Sequence, residues 1–264
     1  MRRQDRGAGD AFPRRGCYNG TMNIKRIVCA AAIALAAWSP AFSMAVTDLA
    51  GITGNGRIVE QERSVRPFSK VIATGSEEVR IHRGAEFRVV VACDENLLER
   101  YRTRVSGDRL ELGFESGTNV RGFTKVTVDV WMPDLEGITL SGSGTVRAED
   151  SFSPKRLEIV LSGSGSVTGT FEGGSSDAVI SGSGAIRVAG SAERLNVTIS
   201  GSGDFDARDY DVRDARAAIA GSGSVSLGRC ETLAVSVSGS GNVSYAGNPQ
   251  IDVNITGSGE VRRR

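Results

Sequence analysis

Leu195-Asn196-Val197-Thr198-Ile199-Ser200-Gly201-Ser202-Gly203-Asp204-Phe205-Asp206-Ala207 alternates without a break. Leu195, Val197, Ile199, Phe205 and Ala207 share one side with the two glycines, and Asn196, Thr198, Ser200, Ser202, Asp204 and Asp206 share the other. A period of two belongs to a strand, whose successive side chains point to opposite faces. No helical period competes with it. The phase runs straight through Gly201-Ser202-Gly203, as it would where a strand bends inward with no room for a side chain.

The same word recurs at Gly142/Gly144, Gly163/Gly165, Gly182/Gly184, Gly221/Gly223, Gly239/Gly241 and Gly257/Gly259. Successive copies start 21, 19, 19, 20, 18 and 18 residues apart. Around them the apolar sets Leu157-Ile159-Leu161-Val167, Ala217-Ile219-Val225-Leu227, Leu233-Val235-Val237-Val243 and Ile251-Val253-Ile255-Val261 hold the same phase. A fixed period in this range marks stacked supersecondary units. Each unit reads as strand, glycine corner, short strand and polar loop, such as 228–232 or 246–250. One unit alone cannot bury its apolar side, whereas stacking sets each rung's inward residues on those of the next. Each inward Val, Leu or Ile then contributes about 1.5–3 kcal/mol. The expected fold is all-β, a parallel β-helix (solenoid) of rungs of 18–21 residues. Antiparallel strands with Gly-Ser as hairpin turns, in a prism or sandwich, form the second reading.

Before the full copies the grammar loosens. Val71, Ala73, Gly75, Glu77, Val79 and Ile81 make a degenerate rung with glutamate in place of the second glycine. Val126, Val128, Val130 and Met132 lead into the first full copy. Between them, 87–92 and 110–114 read as strands and 94–101 as one short helix. Atypical terminal rungs are expected because they cap the stack.

Met22-Asn23-Ile24-Lys25-Arg26, the apolar run Ile27 to Trp38 and Ser43-Met44-Ala45 have the form of a secretory signal peptide with a small-x-small cleavage site. The apolar run is too short for a comfortable membrane span. The expected organisation is an over-extended N-terminus over 1–21, a signal peptide over 22–45 and a lead-in over 46–67. One β-helix domain over 68–261 and a basic tail over 262–264 complete it. The expected location is periplasmic, outer-membrane-associated or extracellular.

Formal net charge is +1, with 32 Lys and Arg against 31 Asp and Glu. Such a balance, with both signs interspersed, lacks the basic patch that nucleic acid needs. Cys93 and Cys230 sit in early and late rungs and read as separate thiols, although an exported chain permits their pairing.

Residues for chemistry are sparse. His82 is the only histidine and no cysteine pair has metal-ligand spacing, so the expectation is no metal and no cofactor, with His82 an outward strand residue. Serines recur equally in every repeat, so no single one stands out as a nucleophile. No helix follows any Gly-Ser-Gly as a phosphate-binding loop requires. A calcium-binding nonapeptide ladder would need a recurring aspartate, and only Asp204 is so placed. Arg147, Glu149, Arg187, Asp204 and Asp206 are candidate outward groups for cutting an acidic glycan. Read blandly, they are solvated rim residues, since no pair recurs in a way that specifies a cleft.

Phe68-Ser69-Lys70-Val71-Ile72-Ala73-Thr74-Gly75, then Val126-Thr127-Val128-Asp129-Val130-Trp131-Met132-Pro133, then the repeated Ser-Gly-Ser-Gly before Val or Ile carry a resemblance. From Phe68 to Gly259 the chain resembles the head GIN domain family of auto-transporter adhesins, exported bacterial β-helix proteins. That resemblance implies a right-handed β-helix, an envelope or surface location and adhesion, and it implies no catalytic residues. The expected function is a non-enzymatic envelope or surface module that binds a glycan, a matrix component or an envelope protein. A periplasmic accessory binding a membrane-protein partner is the alternative, and a polysaccharide-degrading enzyme the third reading. Unpaired strand edges leave an oligomer open.

Overall fold

Residues 51–264 are described by the computed structural model. The expected extension over 1–21, the signal peptide over 22–45 and the start of the lead-in lie outside the described residues.

Alternation becomes strand along the whole repeat. Ala185–Gly201 pairs in parallel with Ser166–Gly182 on one side and Asp204–Gly221 on the other, and equivalent residues lie in register. Ile199 stands beside Ile180 and Ile219, and Gly201 beside Gly182 and Gly221. This continues through Thr232–Gly239 to Gln250–Gly257, giving a β-solenoid of about 7 turns with rungs of ~19 residues over 137–263. Every pairing among these strands is parallel, so the solenoid, rather than a prism or sandwich of hairpins, is the fold.

The two glycines of a corner do different work. Gly201 has φ +122, and a Cβ there would lie 2.5 Å from the Gly182 carbonyl oxygen of the rung before. Gly203 has no such φ, but its Cβ would lie 2.5 Å from Ile180 Cγ2. The first glycine thus lets backbone lie on backbone; the second does so too, against the Gly184 carbonyl oxygen at 2.7 Å, and also leaves room for the previous rung's inward side chain. Only the second faces the core; the first is half-buried. The Ser202 N–H donates to the Gly182 oxygen at 2.9 Å, so the corner stays within the ladder.

Behind the corners an aromatic column fills the wider part of each rung. Phe152 pairs with Phe171, Phe171 with Gly190, and Gly190 with Tyr210. All three aromatic side chains are buried, and the Tyr210 and Ser176 hydroxyls share a buried hydrogen bond of 2.7 Å.

The N-terminal end changes grammar. Lys70–Gly75 and Glu78–Arg83 still stack in parallel beneath Gly137–Gly142 and Thr145–Phe152. Beyond them, Tyr101–Ser106 pairs antiparallel with Arg109–Phe114, and Ile58–Arg63 antiparallel with Arg88–Asp94. The expected short helix is a 3-10 helix over Glu95–Arg100 that buries Leu97. Glu77 tolerates a side chain at its corner because no Gly-Ser-Gly rung lies beneath it; its carboxyl is buried, and desolvation raises its pKa. Among the described residues no helix is long and apolar enough to cross a membrane.

The lead-in and the basic end both join the fold. Ile52–Thr53 pairs with Val120–Gly122. Arg262 and Arg263, expected in a tail, belong to the strand Glu260–Arg263, which pairs with Asn242–Ala246, and the Arg264 N–H donates to the Tyr245 oxygen. Cys93 and Cys230 are free thiols, and burial raises the pKa of both.

Candidate binding face

The strands that follow each corner form one outward surface. In-register stacking places Asp129 beside Arg80, then Arg147, Thr168, Arg187, Asp206, Ser226, Ser244 and Arg262. Neighbours in such a row are about 4.8 Å apart. Two residues earlier a second row carries Thr127, Glu78, Thr145, Ser166, Ala185, Asp204, Ser224, Asn242 and Glu260. A shallow groove of about 410 Å³ lies over Ser166, Thr168, Arg187, Asp204, Asp206 and Ser226. A second, of about 390 Å³, continues over Ser224, Ser226, Asn242, Ser244, Glu260 and Arg262.

The charges on this face are organised. Asp206 accepts from Arg187 Nε at 3.1 Å and from Arg208 Nε at 2.8 Å. The Arg208 hydrogen bond above all holds the Asp206 carboxyl down at about 2, so it stays ionised. Because the folded value lies below the ordinary carboxylate range near 3.9, this stabilisation is present above about pH 4 and is lost as pH falls toward about 2. Between those pH values the thermal midpoint of the wild-type chain should therefore fall more steeply than that of Asp206→Asn. Parallel curves would remove Asp206 from the account.

At the N-terminal end of the ladder the signal is aromatic. Arg80 donates to Asp129 Oδ2 at 2.9 Å, and His82 Nε2 lies 3.1 Å from Asp129 Oδ1. His82 stacks on Trp131 with ring centroids 5.0 Å apart, and the Arg88 guanidinium lies 4.8 Å from the Trp131 ring centroid. The strand Thr127–Met132 lies between Glu78–Arg83 and Arg88–Asp94, so His82 and Arg88 flank Trp131 from either side. His82 is therefore outward, as expected, but held half-buried in a stacked cluster.

Of the five candidate outward groups, Arg147, Arg187, Asp204 and Asp206 fall on this face. Glu149 does not join the rows, because pairing with Ser166–Gly182 slips between Arg147 and Ser151. Asp129, Trp131, Arg80 and Arg88 escaped the reading of the sequence, although the alternation of 126–132 already sets Thr127, Asp129 and Trp131 on the polar side. Among the described residues no three His, Cys, Asp or Glu side chains are placed to hold a metal ion.

Fold and face together define a parallel β-solenoid with a long polar side. The family model "Putative auto-transporter adhesin, head GIN domain" matches residues 67–249, and the chain belongs to this family. A structure from Bacteroides fragilis described as a putative adhesin is 22% identical, with a TM-score of 0.77, over 81% of this chain and 100% of that one. A putative adhesin from Parabacteroides merdae is 22% identical, with a TM-score of 0.68, over 81% of this chain and 99% of that one. A Parabacteroides distasonis protein described as a putative lipid binding protein is 25% identical, with a TM-score of 0.69, over the same shares. No curated protein matches the chain.

Proposed function

We propose that this protein is an exported, non-enzymatic binding module of the cell envelope or surface that holds an extended glycan along the face after the corners. The observation that carries this reading is the unbroken ladder from Asp129 to Arg262. Its rungs advance by about 4.8 Å, comparable to the length of one sugar unit with its linkage. Hydroxyls, carboxylates and guanidinium groups are interspersed along it, which suits a chain of hydroxyl donors and acceptors. Arg80, Arg147, Arg187, Arg208 and Arg262 stand with Glu78, Asp129, Asp204, Asp206 and Glu260, so recognition rests on hydrogen bonding more than on net charge.

The absence of enzymatic activity is part of the proposal. A glycosidase of the usual kind pairs a carboxylate with a protonated acid of raised pKa. Asp206, held ionised by its two arginines, does not supply that acid. Family membership supports export, as do the features of a signal peptide in 22–45.

The test is equilibrium binding of the purified chain to a panel of envelope and host polysaccharides, with reducing ends assayed in parallel. Saturable binding without release of reducing ends is expected. Reducing-end release would make it an enzyme, and no saturable binding to any glycan would move the face to a protein partner.

A further inference from the structure

The two ends of the solenoid are built differently. At the N-terminal end the outermost strands are Ile58–Arg63, with Glu60, Glu62 and Arg63, and Tyr101–Ser106, with Arg102 and Arg104. Both run antiparallel to their neighbours, and charge on an edge strand discourages further pairing. At the other end, among the described residues, Gln250–Gly257 pairs on one side only, with Thr232–Gly239, and the charged Glu260–Arg263 only with Asn242–Ala246. The inward row of Gln250–Gly257 stays open: Ile251, Val253 and Ile255 are 40%, 40% and 38% exposed, against 1%, 4% and 1% for Leu233, Val235 and Val237 one rung below.

The open strand is complementary to itself. In Gln250-Ile251-Asp252-Val253-Asn254-Ile255-Thr256, an antiparallel pairing centred on Val253 sets Ile251 opposite Ile255 and Val253 opposite its own copy, all inward. It sets Asp252 opposite Asn254 and Gln250 opposite Thr256, so on the outward side an amide N–H₂ meets a carboxylate and a second amide meets a hydroxyl. Pro249, which has no N–H to donate, lies just before this segment and ends the pairing there. A shift by one residue would bring inward residues opposite outward ones.

We infer that this rung joins two copies of the chain end to end: Gln250–Gly257 pairs antiparallel with its own copy about a two-fold axis at Val253. The symmetry closes the assembly at two, because the charged N-terminal edges offer no matching strand. The inward rows of both copies then continue one apolar core across the joint.

Light scattering on the full chain should give the mass of a dimer, and Val253→Arg should give a monomer with an unchanged circular dichroism spectrum. Val253→Cys supplies a second readout, since paired residues on the axis are within disulfide reach. Mild oxidation should give a reducible dimer band that Ser258→Cys, on the exposed corner, does not give. A wild-type chain that stays monomeric at high concentration overturns the inference. So does a dimer that survives Val253→Arg, or open-ended filaments.

Discussion

Gly201→Val will lower the unfolding midpoint sharply, while Ser202→Ala, one residue along, will leave it nearly unchanged. The valine Cβ would sit 2.5 Å from the Gly182 carbonyl oxygen, which is backbone and cannot move aside, at a φ of +122 that side chains rarely adopt. Strain and overpacking each cost about 1–3 kcal/mol, and here they act together. Ser202 is exposed and keeps its corner hydrogen bond through the backbone N–H, so its truncation stays within about 0.5 kcal/mol. Gly203→Val should be nearly as severe, but its clash is shared between the Ile180 side chain at 2.5 Å and the Gly184 carbonyl oxygen at 2.7 Å, so Ile180→Ala should relieve only the first part of it. Chemical denaturation of these variants and of Gly203→Val/Ile180→Ala separates the backbone corner from the one shared with a side chain. Equal losses at Gly201 and Ser202 would refute the assignment.

Phe171→Ala is the second large effect, expected at about 3–5 kcal/mol. Phe171 is 1% exposed, pairs with Phe152 on one side, and meets Gly190 on the other, where a Cβ would strike its carbonyl oxygen at 2.2 Å. Gly190, the next residue in the column, has no side chain to fill the cavity, and the Tyr210 side chain beyond it is tethered by its hydroxyl to Ser176 at 2.7 Å. The loss should therefore approach the upper part of that range, read as a shift of the denaturation midpoint at unchanged slope. A loss below about 1 kcal/mol would mean that the column is loosely packed.

The repeat was legible because two independent signals agree in stretches such as 195–207: strict alternation fixes strand and face, and constant spacing fixes stacking. The division of labour within Gly201-Ser202-Gly203 was not, since spacing carries no φ and both glycines sit at even steps from Ile199. The N-terminal end defeated the same logic for another reason. Val126, Val128, Val130 and Met132 alternate identically whether a neighbour runs parallel or antiparallel, so the reversal at Arg88–Asp94 leaves no trace in either strand.

The binding face was only half legible. Arg187, Asp204 and Asp206 lie next to a corner whose register the spacing reveals, so their outward direction could be read. Asp129 and Arg80 are 49 residues apart in the chain and meet through degenerate rungs that lack the glycine markers. Thr168, Ser226 and Ser244 resemble any solvated strand residue until pairing sets them in one row with the arginines. Glu149 shows the converse: alternation places it with Arg147, and the slip in pairing removes it from the ladder.

One comparison bears most directly on the claim that the face after the corners is the binding surface. Glycan affinity should be measured for Arg147→Glu/Arg187→Glu beside Thr198→Glu/Ser236→Glu, which places two new carboxylates on the outward side before the corners without removing any guanidinium group. At wild-type thermal stability, the first pair should lose tenfold or more in affinity, about 1.4 kcal/mol, and the second should bind as the wild type does. Equal binding by both variants, or loss confined to the second, would contradict the account.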